Sequence, residues 1–174
     1  MSKKREIIQL GHAILRKKAK KVADIQSYFI RALIEDLFVT MNESNGVGIA
    51  APQIAESYRL FIVAPHSNLR YPDVLEIEPI VAINPTITWF SDEKEEDWEG
   101  CLSVPEIRGL VPRAKSIKIA YTTQAGTECE STFSDFTARV FQHECDHLQG
   151  VVFVDRATKI VKEKDFFQLL SSSD

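Results

Sequence analysis

Apolar residues recur at every fourth position between Asp24 and about Asn42. This repeat places their side chains on one face of a helix, and it predicts a first helix over the segment. The face comprises Ile25, Phe29, Leu33, Leu37 and Met41. Asp24 and Ser27 are both suited to cap the N-terminus of this helix, because their side-chain oxygens can accept hydrogen bonds from its first turn.

Two further helices are predicted towards the C-terminus. One begins near Ser134 and ends before Gly150, since glycine commonly follows a helix C-terminus. One face of this second helix carries Phe136, Val140, His143 and His147. The third helix is short and lies near residues 162–170.

Short apolar or alternating segments bounded by Gly, Pro, Asn and Asp predict the strands. They are residues 60–63, 80–83, 87–90, 116–121 and 128–133. Asn84-Pro85 and residues 124–126 are the clearest predicted turns. Residues 46–53 are mostly small and predict a closely packed loop, whereas the mostly acidic residues 91–97 predict a solvated loop.

The order of helix, several strands and helix, with mostly short connections, predicts an α+β fold. In this fold, antiparallel or mixed sheets wrap around the central helix that carries the histidines, and an N-terminal helix and a short C-terminal helix complete it. The chain contains no internal repeat and no low-complexity linker. We therefore expect residues 1–174 to form a single domain.

Composition narrows the class of protein. The formal net charge of -4 leaves no broad basic excess for binding nucleic acid. No apolar run reaches membrane-spanning length, and the apolar run near the N-terminus is too short for a secretory signal. Three cysteines are an odd number for a chain without an export signal, so a cytoplasmic, reducing compartment is expected.

The second predicted helix contains the pattern H-E-x-x-H over residues 143–147. His143 and His147 are four positions apart, so on a helix both imidazoles project from one face and can bind one metal ion. Glu144 lies about 100° around the helix from His143, which puts it beside the metal and not on it. It could therefore accept a proton from metal-bound water. The simpler interpretation is a surface helix that happens to carry two histidines.

A catalytic metal of this kind usually has three protein ligands and one open position. His12 and His66 lie far upstream in polar, loop-like surroundings, which makes Cys101 the better third candidate. Gly100 and Pro105 indicate a constrained turn or bulge around this thiol. A lone cysteine is more often a small buried apolar residue, and that interpretation suits Cys129 and Cys145.

Two alternatives stay open at this point. A zincin-type metallopeptidase shares H-E-x-x-H and would take its third ligand downstream, where Asp155, Glu163 and Asp165 are available. A structural zinc module would need a fourth closing ligand, and the chain offers no convincing one.

Three segments together resemble the motifs of the peptide deformylase family. Residues 46–53, Gly-Val-Gly-Ile-Ala-Ala-Pro-Gln, are similar to the family's G-x-G-L-A-A-x-Q. Residues 99–103 read E-G-C-L-S, and residues 142–147 match Q-H-E-x-x-H. Their order and separation also match the family. The one departure within a motif is Ile49 in place of leucine, a near-isosteric change that should adjust packing without removing activity.

The resemblance implies a metal-dependent hydrolase that removes the formyl group from N-formylmethionyl peptides of newly made proteins. It implies a metal ion held by Cys101, His143 and His147, with Fe²⁺ as the physiological ion and Zn²⁺, Ni²⁺ or Co²⁺ able to substitute. Metal-bound hydroxide would attack the formyl carbon, with Glu144 as general base and then general acid. The substrates would be nascent chains at the ribosome, and the enzyme is expected to be a monomer.

The remaining site residues are predicted from the family resemblance and from the face of the second predicted helix. The resemblance assigns the oxyanion donors to the side-chain amide of Gln53 and the backbone N–H of Leu102. Because Gly48 has no side chain, it would let the substrate backbone approach closely. The helical face predicts an apolar methionine pocket at the metal, which Arg139 and Glu99 border. The walls of this pocket are Val47, Phe136 and Val140.

Overall fold

Helix α1 spans Tyr28–Glu43 in the computed structural model, which describes residues 2–68 and 71–171. Ser27 is its N-cap, and the side-chain oxygen of Ser27 accepts a hydrogen bond from the backbone N–H of Ile30 at 3.3 Å. Asp24 instead accepts a hydrogen bond from the backbone N–H of Gln26 in the preceding turn. The helix therefore begins at the second of the two predicted caps.

Helix α2 spans Asp135–Leu148 and directly follows Ser134. The chain leaves it through Gly150, which has a φ of +75°. Helix α3 spans Glu163–Ser171. Both helices lie within one residue of their predicted starts, because their turn signals and apolar periodicity are local properties of the chain.

Within the described residues, eight strands form two antiparallel sheets around α2. The strands are β1 Gly48–Ala50, β2 Leu60–Val63, β3 Ile80–Phe90, β4 Lys94–Cys101, β5 Val104–Ala114, β6 Ser116–Thr122, β7 Glu128–Ser134 and β8 Lys159–Lys162. The five-stranded sheet has the order β1-β2-β3-β6-β7, and the three-stranded sheet has the order β4-β5-β8. Every named pair is antiparallel. The predicted α+β architecture is confirmed.

Strand β2 is buried on both faces and separates two parts of the core. Leu60 and Ile62 belong to the cluster formed with the apolar face of α1. Phe61 and Val63 face the other way and belong to the cluster formed with α2. Alternate residues of a strand point to opposite faces of the sheet, so one short strand anchors both long helices.

The Asn84-Pro85 pair was predicted to reverse the chain, and this prediction is wrong because the pair lies inside β3. Asn84 has a φ of +51°, and the register with β6 shifts between Ile83 and Thr86. The side-chain amide of Asn84 bonds both the N–H and the carbonyl of Val22 at 2.9 Å. This tertiary contact makes the pair a bulge within a long strand.

Two predicted loops contain strands. Residues 94–97 belong to β4, and Gly48 to Ala50 form β1 opposite β2. The acidic side chains at residues 93 and 95–97 are solvated as expected, but the backbone of residues 94–97 pairs with β5. Strand β4 has mostly polar, exposed side chains, and β8 has only two apolar residues, between two lysines. The apolar pattern therefore did not predict either strand.

We predict that Gly150→Ala destabilises the protein more than Gly126→Ala does. Both glycines have positive φ, +75° and +86°. A Cβ at Gly150 would also lie 2.5 Å from the backbone oxygen of Arg16, whereas at Gly126 the nearest atom is 3.6 Å away. We expect the free energy of unfolding to fall by about 3 kcal/mol for Gly150→Ala and about 1 kcal/mol for Gly126→Ala. Urea denaturation at equal metal loading measures both, and equal losses would contradict the steric argument.

Candidate metal centre and active-site cleft

The three metal-ligand candidates meet in one place. Helix α2 supplies His143 and His147, and the end of β4 supplies Cys101. One donor atom from each of the three lies within 4.8 Å of the other two. The Sγ atom of Cys101 is 3.3 Å from Nε2 of His147. Burial lowers the pKa of His147 well below its usual value, which favours the neutral imidazole that a metal requires.

A bulge in the hairpin of β4 and β5 places Cys101. The register between these strands shifts from Glu99 to Cys101, and Cys101 pairs with Val104 across a two-residue turn. Gly100 is packed so closely that a Cβ there would lie 2.6 Å from Nη1 of Arg108. The turn or bulge predicted around Cys101 is present, and it turns the thiol towards α2.

Glu99 is a buried carboxylate that orients His143. It is 3% exposed, and its Oε2 lies 2.9 Å from Nδ1 of His143. Arg113 donates to both carboxylate oxygens at 2.8 and 3.0 Å, and Arg139 donates to one of them at 3.0 Å. Burial alone would raise the pKa of Glu99, but the hydrogen bonds from His143 and Arg113 lower it well below its usual range. With Nδ1 held by Glu99, Nε2 of His143 remains available to a metal.

The ion-pair network continues from Arg113 to the back of α2. Nη1 of Arg113 donates to Asp146 at 2.6 Å. Arg156 donates to both oxygens of the same carboxylate at 2.6 and 2.8 Å. The network, which the sequence did not predict, fixes α2 against β4 and β5.

Glu144 stands beside the ligands with one oxygen unpaired. It is 3% exposed, and its Oε2 is buried without a hydrogen-bond partner within the described part of the chain. Burial raises the pKa of Glu144 to about 7. A Cβ at Gly48 would lie 2.6 Å from Oε1 of Glu144, so only glycine at this position leaves room for the carboxylate. A buried carboxyl group with a pKa near neutrality is suited to accept and return a proton.

Gln53 presents an amide donor to the same space. Its Oε1 accepts a hydrogen bond from the backbone N–H of Ala50 at 2.9 Å. This bond fixes the direction of the amide, so Nε2 faces Sγ of Cys101 at 3.5 Å and Oγ of Ser103 at 3.2 Å. The contact to Ser103 was not predicted.

One cleft contains all the residues that are predicted to bind the substrate. It is lined by Val47, Gly48, Glu99, Phe136, Arg139 and Val140, together with Gln53, Cys101, Leu102, His143 and Glu144. Glu99 and Arg139 form a buried ion pair with each other. Their side chains therefore have a structural role at the edge of the cleft. Tyr71 also lines the cleft, and it packs on Phe136 with ring centroids 4.7 Å apart. Sequence reasoning missed Tyr71, because it lies in an irregular segment without periodicity.

Cys145 points away from this cleft. It packs against the apolar cluster on the other side of α2, and burial raises the pKa of its thiol. His12 caps a 3₁₀ turn at Ala13–Arg16, and His66 contacts the carbonyl of Ala64. These three residues lie outside the candidate metal centre.

The donor set fits a divalent transition metal. One thiolate and two imidazoles are the ligands that Zn²⁺, Fe²⁺, Co²⁺ and Ni²⁺ accept, and three protein ligands leave a position for a reactant. The unpaired buried oxygen of Glu144 beside this set provides a polar group for that reactant. Fold and site together define a mononuclear metallohydrolase of the H-E-x-x-H type.

Comparison with known proteins identifies the family. The model of the polypeptide deformylase family matches residues 4–163, and the chain belongs to this family. Its activity is the metal-dependent hydrolysis of the formyl group from N-formylmethionyl peptides, a step of protein biosynthesis. Family membership does not favour the zincin-type alternative. Glu163, one of the three downstream carboxylates available to that alternative, accepts a hydrogen bond from Arg108.

The chain resembles its relatives over nearly its whole length. It is 51% identical to peptide deformylase 2 of Nostoc sp. over 170 residues, which cover 96% of this chain and 95% of the relative. Peptide deformylase 1 of Bordetella pertussis is 43% identical to this chain over 156 residues, which cover 90% of this chain and 89% of the relative. A class I type b peptide deformylase of Acinetobacter baumannii, solved with Met-Ala-Ser, superposes with a TM-score of 0.88 at 44% identity, covering 90% of this chain and 99% of that one. Across the described residues, none of the helices has the length and apolar character needed to span a membrane.

We predict that Gly48→Ala lowers turnover without removing the metal. The new methyl group would displace the Glu144 carboxylate, which must be aligned for proton transfer. We expect kcat to fall about tenfold or more, with metal content unchanged by elemental analysis. Gly126→Ala, which adds the same methyl group in a turn outside the cleft, is the control. Full turnover in Gly48→Ala would show that Glu144 tolerates displacement.

Proposed function

We propose that the cleft performs deformylation with a metal ion held by Cys101, His143 and His147. The observation that carries this proposal is the convergence of three metal-ligand candidates, a buried carboxyl and an oriented amide donor on one cleft. A divalent ion held by these ligands supplies Lewis-acid chemistry, which polarises the formyl carbonyl and makes a nearby water more acidic. We propose Fe²⁺ as the physiological ion, with Zn²⁺, Ni²⁺ or Co²⁺ able to substitute.

Glu144 is the proposed acid and base. It removes a proton from the attacking water and later delivers a proton to the departing amine. A pKa of about 7, raised by burial, suits both directions of transfer near neutral pH. The carboxyl group can serve both steps without becoming a metal ligand, because it lies beside the histidine pair on α2.

Gln53 and Leu102 are the proposed oxyanion donors. The bond from Ala50 turns the Gln53 amide so that its Nε2 faces Sγ of Cys101 at the wall of the cleft. The backbone N–H of Leu102 belongs to the turn that immediately follows Cys101. Preorganised donors of this kind stabilise the negative charge of a tetrahedral intermediate without having to rearrange.

Methionine binds in the apolar part of the cleft. Val47, Phe136 and Val140 form its walls, Gly48 lets the substrate backbone approach, and Glu99 and Arg139 border it. The Acinetobacter baumannii relative bound to Met-Ala-Ser supports a methionine as the first residue. A flexible thioether fills irregular apolar space well.

The setting of the reaction is also proposed. Residues 1–174 act as one catalytic domain and as a monomer in the cytoplasm. The substrates are nascent chains at the ribosome, and neither nucleic acid nor a membrane is bound directly.

The release of formate from three formyl peptides and of acetate from one acetyl peptide tests the proposed pocket. With anaerobic Fe²⁺ enzyme, we expect similar rates on formyl-Met and formyl-norleucine peptides, because the two side chains differ little in shape. Formyl-Asp should react far more slowly, because a carboxylate would be buried against apolar walls. Acetyl-Met should also react far more slowly, because its additional methyl group must fit between Gly48 and Cys101. Equal rates on the formyl and acetyl peptides would indicate a general amidohydrolase and contradict the proposal.

Metal analysis of two variants tests the ligand set. We expect Cys101→Ala to lose most of its metal, because two imidazoles alone bind a divalent ion more weakly than the full set. Glu163→Ala should retain the wild-type metal content. The opposite pattern would assign the third ligand to α3.

Glu144→Gln tests the proton-transfer role. The amide cannot accept the proton, so we expect kcat to fall about 100- to 10,000-fold while metal content stays at the wild-type level. Loss of metal together with activity would instead make Glu144 a ligand or a structural support.

A further inference from the structure

Arg108 is the largest fully buried side chain among the described residues, with 1% exposure. It lies on β5, and its guanidinium packs against Gly100, the residue before Cys101. A buried cation must be matched by nearby acceptors or π systems, because the interior solvates charge poorly. The partners of Arg108 therefore indicate which parts of the structure its guanidinium connects.

Those partners come from two distant segments. Nη1 of Arg108 donates to the hydroxyl of Tyr71 at 3.1 Å, and Nη2 donates to Oε1 of Glu163 at 3.1 Å. The guanidinium also lies 5.6 Å from the ring centroid of Tyr71 and 5.5 Å from that of Phe166. Glu163 and Phe166 belong to α3, so Arg108 joins the C-terminal helix to Tyr71 through ionic, hydrogen-bonding and cation–π contacts.

Tyr71 is a wall of the substrate cleft. Its ring packs on Phe136, which lies in the proposed methionine pocket. Residues 64–68 and 71–79, which lie between β2 and β3, contain neither helix nor strand. Among the described residues, the backbone hydrogen bonds of Tyr71 are made with Asn68. A ring in such a segment needs side-chain contacts to keep one position, and Arg108 provides them.

We propose that Arg108 is a positioning residue that holds Tyr71 as a specificity-determining wall of the cleft and is itself oriented by Glu163 of α3. This inference rests on the proposed function, since it concerns the same substrate site. Glu163 contacts the guanidinium of Arg108, which in turn contacts Tyr71. Loss of Glu163 should therefore weaken substrate binding and leave the chemical step intact.

The test uses the full-length, metal-loaded enzyme and formyl-Met-Ala-Ser. We expect Glu163→Gln and Tyr71→Phe each to raise KM about three- to tenfold, with kcat within about twofold of the wild type. Calorimetry should show the same weakening for the product Met-Ala-Ser. Asp165→Asn removes a carboxylate charge from the exposed side of the same helical turn and should change neither value.

A double variant separates positioning from a general structural role. If Glu163 acts through Tyr71, then Glu163→Gln should have no further effect on KM in a Tyr71→Ala background. Equal effects in both backgrounds, or a loss of kcat with unchanged KM, would overturn the proposal. Wild-type enzyme that releases no formate would instead sink the proposed function, so the two failures are distinguishable. The proposal does not depend on whether Arg108 variants fold, because the measurements use its partners.

Discussion

The buried carboxylate of Glu99 is the contact on which the rest of the site depends. It comes from β4, yet its partners are His143 and Arg139 on α2 and Arg113 on β5. A carboxylate that is 3% exposed is stable only if such donors surround it. By meeting this requirement, the chain fixes the distance between the strand that carries Cys101 and the helix that carries the histidines.

The same network also sets the chemistry of the ligands. Glu99 occupies Nδ1 of His143 and leaves Nε2 for a metal, which fixes both the tautomer and the ring orientation. Arg113 passes the constraint to Asp146 on the back of α2. The helix is therefore held from two sides, and His143 cannot rotate without breaking its contact with the buried carboxylate of Glu99.

Close packing at glycines completes the arrangement. Gly48 allows the Glu144 carboxylate to approach β1, and Gly100 allows the Arg108 guanidinium to lie under the Cys101 turn. Each glycine lies against a charged group, and a Cβ atom in its place would overlap with that group. The need for glycine at these two motif positions is thus explained by the volume of the charged groups beside them.

Local sequence determined the helices, the cap at Ser27, the shared face of His143 and His147, and the motifs that identify the family. These features depend on residues within a few positions of one another, so periodicity and residue type suffice to predict them. The tertiary structure alone decided that Asn84 forms a bulge, that the polar strand β4 pairs, that Glu99 orients His143 and that Tyr71 enters the cleft. Each of these depends on partners far along the chain, for example Val22 for Asn84 and Arg108 for Tyr71. Polar residues with distant partners leave no periodic pattern, because the contact that gives them their role exists only once the chain has folded.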